Sequence, residues 1–180
     1  MEYAPKPTPT VTPKTELADV VQYLQDEYET IGRAVSERQA GALVKKAADQ
    51  VTADYTTATA VAWTGEEYEI GGVWHDNATN NSRLTVPSGY RRVRVTAQIG
   101  ISAHTADTWV AVEIRKNGAA FMGGPAQKTE VGATDGFVNL VSPPLEVSPG
   151  DYFETFLQTE SDNSITVTAA RSWMAIEAIE

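Results

Sequence analysis

Apolar residues in the first part of the chain recur at helical spacing. Along "TELADVVQYLQDEYETIGRAVSER", residues 15–38, they fall at Leu17, Val21, Leu24, Tyr28, Ile31 and Val35. The steps alternate between four and three, the seam of a heptad repeat rather than the broader stripe of a helix lying on its own domain. Thr15 is a suitable N-cap, Glu16 and Asp19 suit the positive end of the helix dipole, and Arg38 suits the other end, just before Gly41. The pattern predicts a helix over 15–40 whose seam faces a partner helix. Leu17, Leu24 and Ile31 take the d positions and Val21, Tyr28 and Val35 the a positions. An ordinary amphipathic helix packed on the same chain is the competing reading. An isolated helix of this length is marginal in water, so an assembly would hold it rather than be driven by it.

From Asp54 onward the period changes to two. In "VRVTAQIGI", Val93, Val95, Ala97, Ile99 and Ile101 alternate with Arg94, Thr96, Gln98 and Gly100, which predicts a strand with one buried face. "WVAVEIRKNGAAFM" places Val110, Val112 and Ile114 on one side and then supplies Asn117-Gly118, the dipeptide of tight hairpins. "DYFETFLQ", "SITVTA" and "SWMAIEAI" read as further strands, with Pro149-Gly150 as the turn before the first. Eight to ten short strands with evenly spaced turns predict an antiparallel sandwich or barrel.

Two stretches have neither period. Residues 1–14 contain Pro5, Pro7, Pro9 and Pro13 among Thr and Lys, and proline admits neither helix nor sheet interior there. They predict an extended arm, either a free tail or, in the reading carried forward, a strap that orders against a partner. Tyr3, Pro5, Pro7 and Pro9 are its candidate anchor residues. Residues 41–54, "GALVKKAADQVTAD", read as a weakly amphipathic linker, helix or coil. The expected layout is therefore an arm at 1–14, a helix at 15–40, a linker at 41–54 and a head domain at 55–180.

Composition narrows the partners. Hydrophobic residues make up 42% and charged ones 21% of 180, a globular composition able to bury a core. The net charge of -10 argues against nucleic acid and against acidic membranes. Without cysteine there are no disulfides, thiolate nucleophiles or cysteine zinc sites. The start, "MEYAPKPTPTVTPK", has no apolar core of signal-peptide length, and no stretch approaches the roughly 18 apolar residues of a membrane helix. The expectation is assembly in a reducing cytoplasm with no membrane insertion.

The densest chemistry is "GGVWHDNATNNSRLTVPSGYRRVRV". His75 and Asp76, joined by His104 and Asp107, would be the candidates for a metal or for acid–base work. The chain has two histidines, and no His-x-x-x-His spacing fixes a ligand pair, so His75 reads as a strand-end residue beside a turn. "DNATNNS" reads as the loop between strands. Arg91, Arg92 and Arg94 form a candidate basic spot, more often a set of solvent-facing or interface ion pairs. "FMGGPAQKTEVGATDG", residues 121–136, reads as a long Gly-rich loop joining two strands, and such loops carry binding specificity. Candidate surface-recognition residues are Arg91, Arg92, Gly123, Gly124 and Lys128. Trp74, Trp109 and Trp173 are core aromatics or a sugar-stacking platform, with at least two expected in the core. Asp162-Asn163 reads as a turn. No triad, carboxylate pair or metal cluster can be named, so neither an enzyme nor a cofactor is expected.

The order of motifs resembles the globular-head jelly roll of the complement and tumour-necrosis-factor superfamilies. The matching positions are Gly71 and Gly72, Asp76 to Ser82, Val86-Pro87, Gly89-Tyr90, Lys116-Asn117-Gly118, Gly150-Asp151 and Ser172-Trp173. The resemblance covers about residues 55–180 and implies a mainly β, antiparallel jelly-roll sandwich. It also implies that the outer face of one sheet is buried around a threefold axis, for which Ala58, Ala60, Ala62, Ala175 and Ala178 would be small enough. A homotrimer follows, although the helical seam by itself also admits a dimer. The complement branch's collagen stalk is missing, and the arm and helix stand in its place. An arm, a heptad helix and a small jelly roll together look like bacteriophage head-fibre, collar-fibre or tail-fibre proteins. That analogy implies an oligomeric virion protein, anchored to capsid, collar or tail by its N-terminal region. The alternative is a fibre tip that binds a host receptor or surface glycan.

Overall fold

The computed structural model describes residues 20–29, 40–52, 57–102, 108–131, 136–159 and 165–179. The chain divides into two compact units, Met1–Arg38 and Gln39–Glu180. In the first, residues 20–29 form a helix, α1, with Gln22 Nε2 donating to Asp26 Oδ1 one turn on (2.9 Å). Val21, Leu24 and Tyr28 of the heptad seam are exposed on it. Leu17, Ile31 and Val35, and the arm with Tyr3, Pro5, Pro7 and Pro9, lie outside the described residues.

The described residues of the second unit form strands, their connections and one 3-10 turn, Ala169–Arg171. Its strands are β1 (Gly41–Lys45), β2 (Gln50–Thr52), β3 (Thr59–Ala60), β4 (Gly65–Ile70), β5 (Arg83–Thr85), β6 (Arg92–Ser102) and β7 (Thr108–Lys116). They continue with β8 (Ala126–Val131), β9 (Gly136–Val141), β10 (Leu145–Glu146), β11 (Tyr152–Thr159), β12 (Ile165–Val167) and β13 (Trp173–Ala178). The eight-stranded sheet is organised on β6. One edge of β6 pairs with β13 and β12 and the other with β9 and β10, while β1 and then β4 follow beyond β13. The five-stranded sheet is organised on β11, which pairs with β7 on one side and with β3 and β5 on the other; β8 lies outside β7. Among the described residues all strand pairings are antiparallel.

Alternation set the inward faces as expected. Val93, Val95, Ala97, Ile99 and Ile101 of β6 meet Val110, Val112 and Ile114 of β7 and Phe153 and Leu157 of β11 in one core between the sheets. Trp63 and Trp74 are fully buried in it. The Asn117-Gly118 hairpin forms with both residues left-handed (φ 54° and 78°), the geometry a two-residue turn between twisted strands requires. Gly150 turns at φ 88° with the Asp151 N–H donating to Ser148 O (3.0 Å).

Two expectations are corrected. Residues 41–54 are not a helical or coiled linker, because Gly41–Lys45 and Gln50–Thr52 are strands of the larger sheet. Ala42 and Val44 point into the core and β1 is zipped between β13 and β4. "GALVK" is too short for period two to show, and its Ala and Lys favour helix locally, so pairing with distant strands overrides propensity. The connection after β1 is pinned by buried Lys46, whose Nζ donates to Ala62 O (2.7 Å) and Gln50 Oε1 (2.9 Å). Burial lowers the Lys46 pKa, and nearby Asp49 partly offsets that. Residues 121–136 are likewise not one loop. Gly123 and Gly124 lie in the turn after the hairpin, but Ala126–Val131 is strand β8 on the edge of the smaller sheet. Pairing with β7 takes up the backbone groups along one of its edges, which a Gly-rich reading of the stretch overlooked.

Candidate association interface

An antiparallel sheet packed on one side ordinarily shows polar side chains on the other. The outer face of the eight-stranded sheet departs from that. Register places Tyr68 of β4 beside Leu43 of β1, Leu43 beside Ala175 of β13, Ala175 beside Thr96 of β6, and Thr96 beside Val141 of β9. Five strands thus contribute one uncharged row. The next row runs Lys45, Trp173, Gln98 and Asn139, and Phe137 stands one step further along β9. Tyr68 is 38%, Phe137 57% and Val141 62% exposed, while Leu43 and Trp173 are half-buried. A shallow groove of about 450 Å³ lies here, with Leu43, Tyr68, Thr96, Trp173 and Ala175 among its walls. A row this poor in charge on an outward sheet face makes it the candidate association surface.

The charges frame the strip. Lys45 pairs with Glu67, and Glu177 lies opposite Arg94 in register. Burial, aided by the Glu177 carboxylate, pushes the Tyr68 phenol above its usual range, so it stays a neutral hydroxyl on an apolar face. The sequence reading missed Leu43, Tyr68, Phe137 and Val141. A signal was present in "GFVNLV", where Phe137 and Val141 alternate with Val138 and Leu140, so that both faces of β9 are apolar.

Of the small residues expected at a threefold contact, Ala175 lies on this face. Ala178 faces the core beside Val93, Ala60 pairs with Phe156 in the other sheet, and the Ala62 carbonyl is taken by Lys46. Of the three tryptophans weighed, Trp74 is core, whereas Trp109 and Trp173 are half-buried on the outer faces of the two sheets. Large aromatics on outward positions of paired strands look like core residues until the register is known.

Of the candidate recognition residues, those at the start of β6 and in the turn after the hairpin lie by β10, whereas Lys128 is on β8. Arg91 and Arg92 are exposed where β6 begins, with the Arg92 carbonyl accepting from Ile179 N–H (3.0 Å). Gly123 turns at φ 85° near Pro143 and Leu145. Lys128 sits on β8 in the other sheet, its ammonium 4.2 Å from the Trp109 ring centroid.

His75, expected at a strand end, lies outside the strands, in the connection between β4 and β5, with an isolated bridge to Leu84 and a fully buried ring. Its partner is Glu66, with Nδ1 2.8 Å from Oε1, and not Asp76. Glu69 Oε1 accepts the Trp74 (2.5 Å) and His75 (2.8 Å) N–H groups, so carboxylates of β4 fasten the following loop. Asp76 instead caps that loop: the Thr79 hydroxyl and the Ala78 and Thr79 N–H groups donate to it and hold its pKa below the usual range. His104, Asp107, Asp162 and Asn163 lie outside the described residues. Among the described residues no three His, Asp or Glu side chains converge as metal ligands would.

No protein-family profile matches the chain, and no curated protein is similar to it in sequence. Solved structures do match its fold. The Eiger TNF of S. frugiperda superposes with a TM-score of 0.52 at 12% identity, over 79% of this chain and 94% of that one. Murine APRIL at pH 5.0 gives 0.52 at 10% identity over 78% and 98%, and at pH 8.0 gives 0.50 over the same shares. The second unit therefore has the TNF-like jelly-roll fold, and at these identities the likeness concerns fold alone.

Proposed function

We propose that this chain is a non-catalytic structural protein of a bacteriophage particle, in which the jelly roll associates as a homotrimer and the N-terminal region fastens it to capsid, collar or tail. The observation that carries the association is the uncharged row Tyr68, Leu43, Ala175, Thr96 and Val141 on the outer face of the larger sheet. The TNF-like fold supports a threefold arrangement over a twofold one, because the resemblance implies burial of that sheet face around a threefold axis. A Pro-rich arm, a heptad pattern and a cysteine-free jelly roll in one chain support the virion reading, by analogy.

The test has two arms. Sedimentation of the intact protein should give about three times 19.4 kDa. Val141→Asp, at an exposed strand position that a monomer tolerates, should shift it to monomer without loss of the β circular-dichroism signal. A wild type that sediments as a monomer sinks the association. Removing residues 1–38 should leave a folded head that no longer joins particles, and incorporation that survives sinks the anchoring role.

A further inference from the structure

The outer face of the five-stranded sheet carries a depression centred on Ala111. Along β7 its same-face neighbours are Trp109 and Glu113, and across the sheet they are Gln158 of β11 and Lys128 of β8. The Ala111 methyl thus lies among a carboxylate, an amide and an ammonium that line one groove with it, while the indole lies under the Lys128 ammonium. Ala126, which pairs with Glu113, and Ala58 extend the low floor to a groove of about 280 Å³.

The rim groups are held in place. Lys128 Nζ rests 4.2 Å from the Trp109 ring centroid. Arg115 stacks 4.0 Å from the Phe156 ring centroid and its Nε donates to Glu113 Oε1 (2.5 Å), which fixes the carboxylate. Long charged side chains on a solvent-facing sheet ordinarily lose rotamer freedom on binding. Here ring stacking has already ordered them, so a ligand meets preorganised donors and acceptors.

We infer that this groove is a binding site for a neutral saccharide. A pyranose presents an apolar C–H face, which suits the alanine floor, and equatorial hydroxyls that both donate and accept. Glu113 accepts two such hydroxyls, Lys128 donates, and the Gln158 amide has groups of both kinds. Arg115 already neutralises Glu113, which leaves Lys128 as the net charge among these groups. A polyanion finds one net cation here, too few to hold it, whereas a neutral polyol meets hydrogen-bonding groups of both kinds. The inference rests on the proposed trimer in one respect: with the larger sheet turned inward, this sheet is the side shown to the surroundings.

Saturation-transfer NMR on the full chain, with trisaccharides of glucose, galactose, mannose and N-acetylglucosamine, and a heparin tetrasaccharide as the anionic arm, tests it. At least one neutral trisaccharide should bind and the heparin fragment should not. Lys128→Ala and Glu113→Gln should each weaken that binding about fivefold, the weight of one hydrogen bond. Ala111→Trp, which fills the depression, should abolish it. Sedimentation of the same samples should be unchanged. Binding of heparin alone, of no probe, or equally by Lys128→Ala and Glu113→Gln overturns the site. A monomer that binds sugar overturns the trimer and leaves the groove standing, whereas a trimer that binds none overturns the groove only.

Discussion

Gly71 has no space for a side chain. A Cβ there would come within 2.3 Å of Tyr90 Oη and 2.6 Å of Ala40 Cβ, and its φ of +79° is one that L residues rarely adopt. The hydroxyl involved donates to the Gly71 carbonyl (2.6 Å), and the Tyr90 ring packs 5.0 Å from Trp74, so the collision would disturb the core entrance. Gly71→Ala should therefore destabilise the head by about 2–4 kcal/mol in urea titrations, from backbone strain and a lost hydrogen bond. A second residue-scale prediction concerns Asp151, whose side chain is 16% exposed. Partial burial pushes its carboxyl up, but hydrogen bonds from Asn117, Lys116 and the Ser148 N–H, with the Lys116 charge, outweigh this and hold it below its usual range. A depressed native pKa means that the unfolded chain binds the proton more readily. The stability is present above about pH 4, the ordinary carboxylate value, and is lost as pH falls below it. Urea titrations from pH 6 to pH 3 should show that loss, and Asp151→Asn should be less stable at pH 6 with a shallower acid slope.

At the scale of elements, turn chemistry and alternation were legible because both are local. Asn117-Gly118 needs only its own left-handed dihedrals, and β6 advertises its inward face through five alternating apolar residues. β1 and β8 were not legible for the opposite reason. Their residues are ordinary helix or loop formers, and only hydrogen bonding to β13, β4 and β7 makes them strands. This has a consequence for the head's boundary. A fragment spanning residues 39–180 should unfold cooperatively. One spanning 55–180 lacks β1 and β2, exposes the edge of β13 and the core around Val44, and should show no cooperative transition by circular dichroism.

At the scale of the whole molecule, two sheets give two unlike outer faces. The larger presents an uncharged strip and the smaller a set of stacked cation–aromatic pairs, with Arg83 over Tyr152 beside the two already described. If the strip is an interface, folding and association are linked, and the melting temperature should rise as protein concentration is raised from micromolar to hundred-micromolar. In Val141→Asp it should stay constant over that range. A wild-type melting temperature independent of concentration would count against the association.

Strand faces, the hairpin, the proline-glycine turn and the mainly β class were determined by the sequence itself, since each depends on a residue and its near neighbours in the chain. The register was decided only by the tertiary structure. It set Leu43 beside Ala175 and Ala111 beside Lys128, gave His75 its partner in Glu66, and so created the strip and the groove. Period two says which residues point outward, but which of them become neighbours depends on pairings between strands far apart in the chain, and no local pattern encodes those.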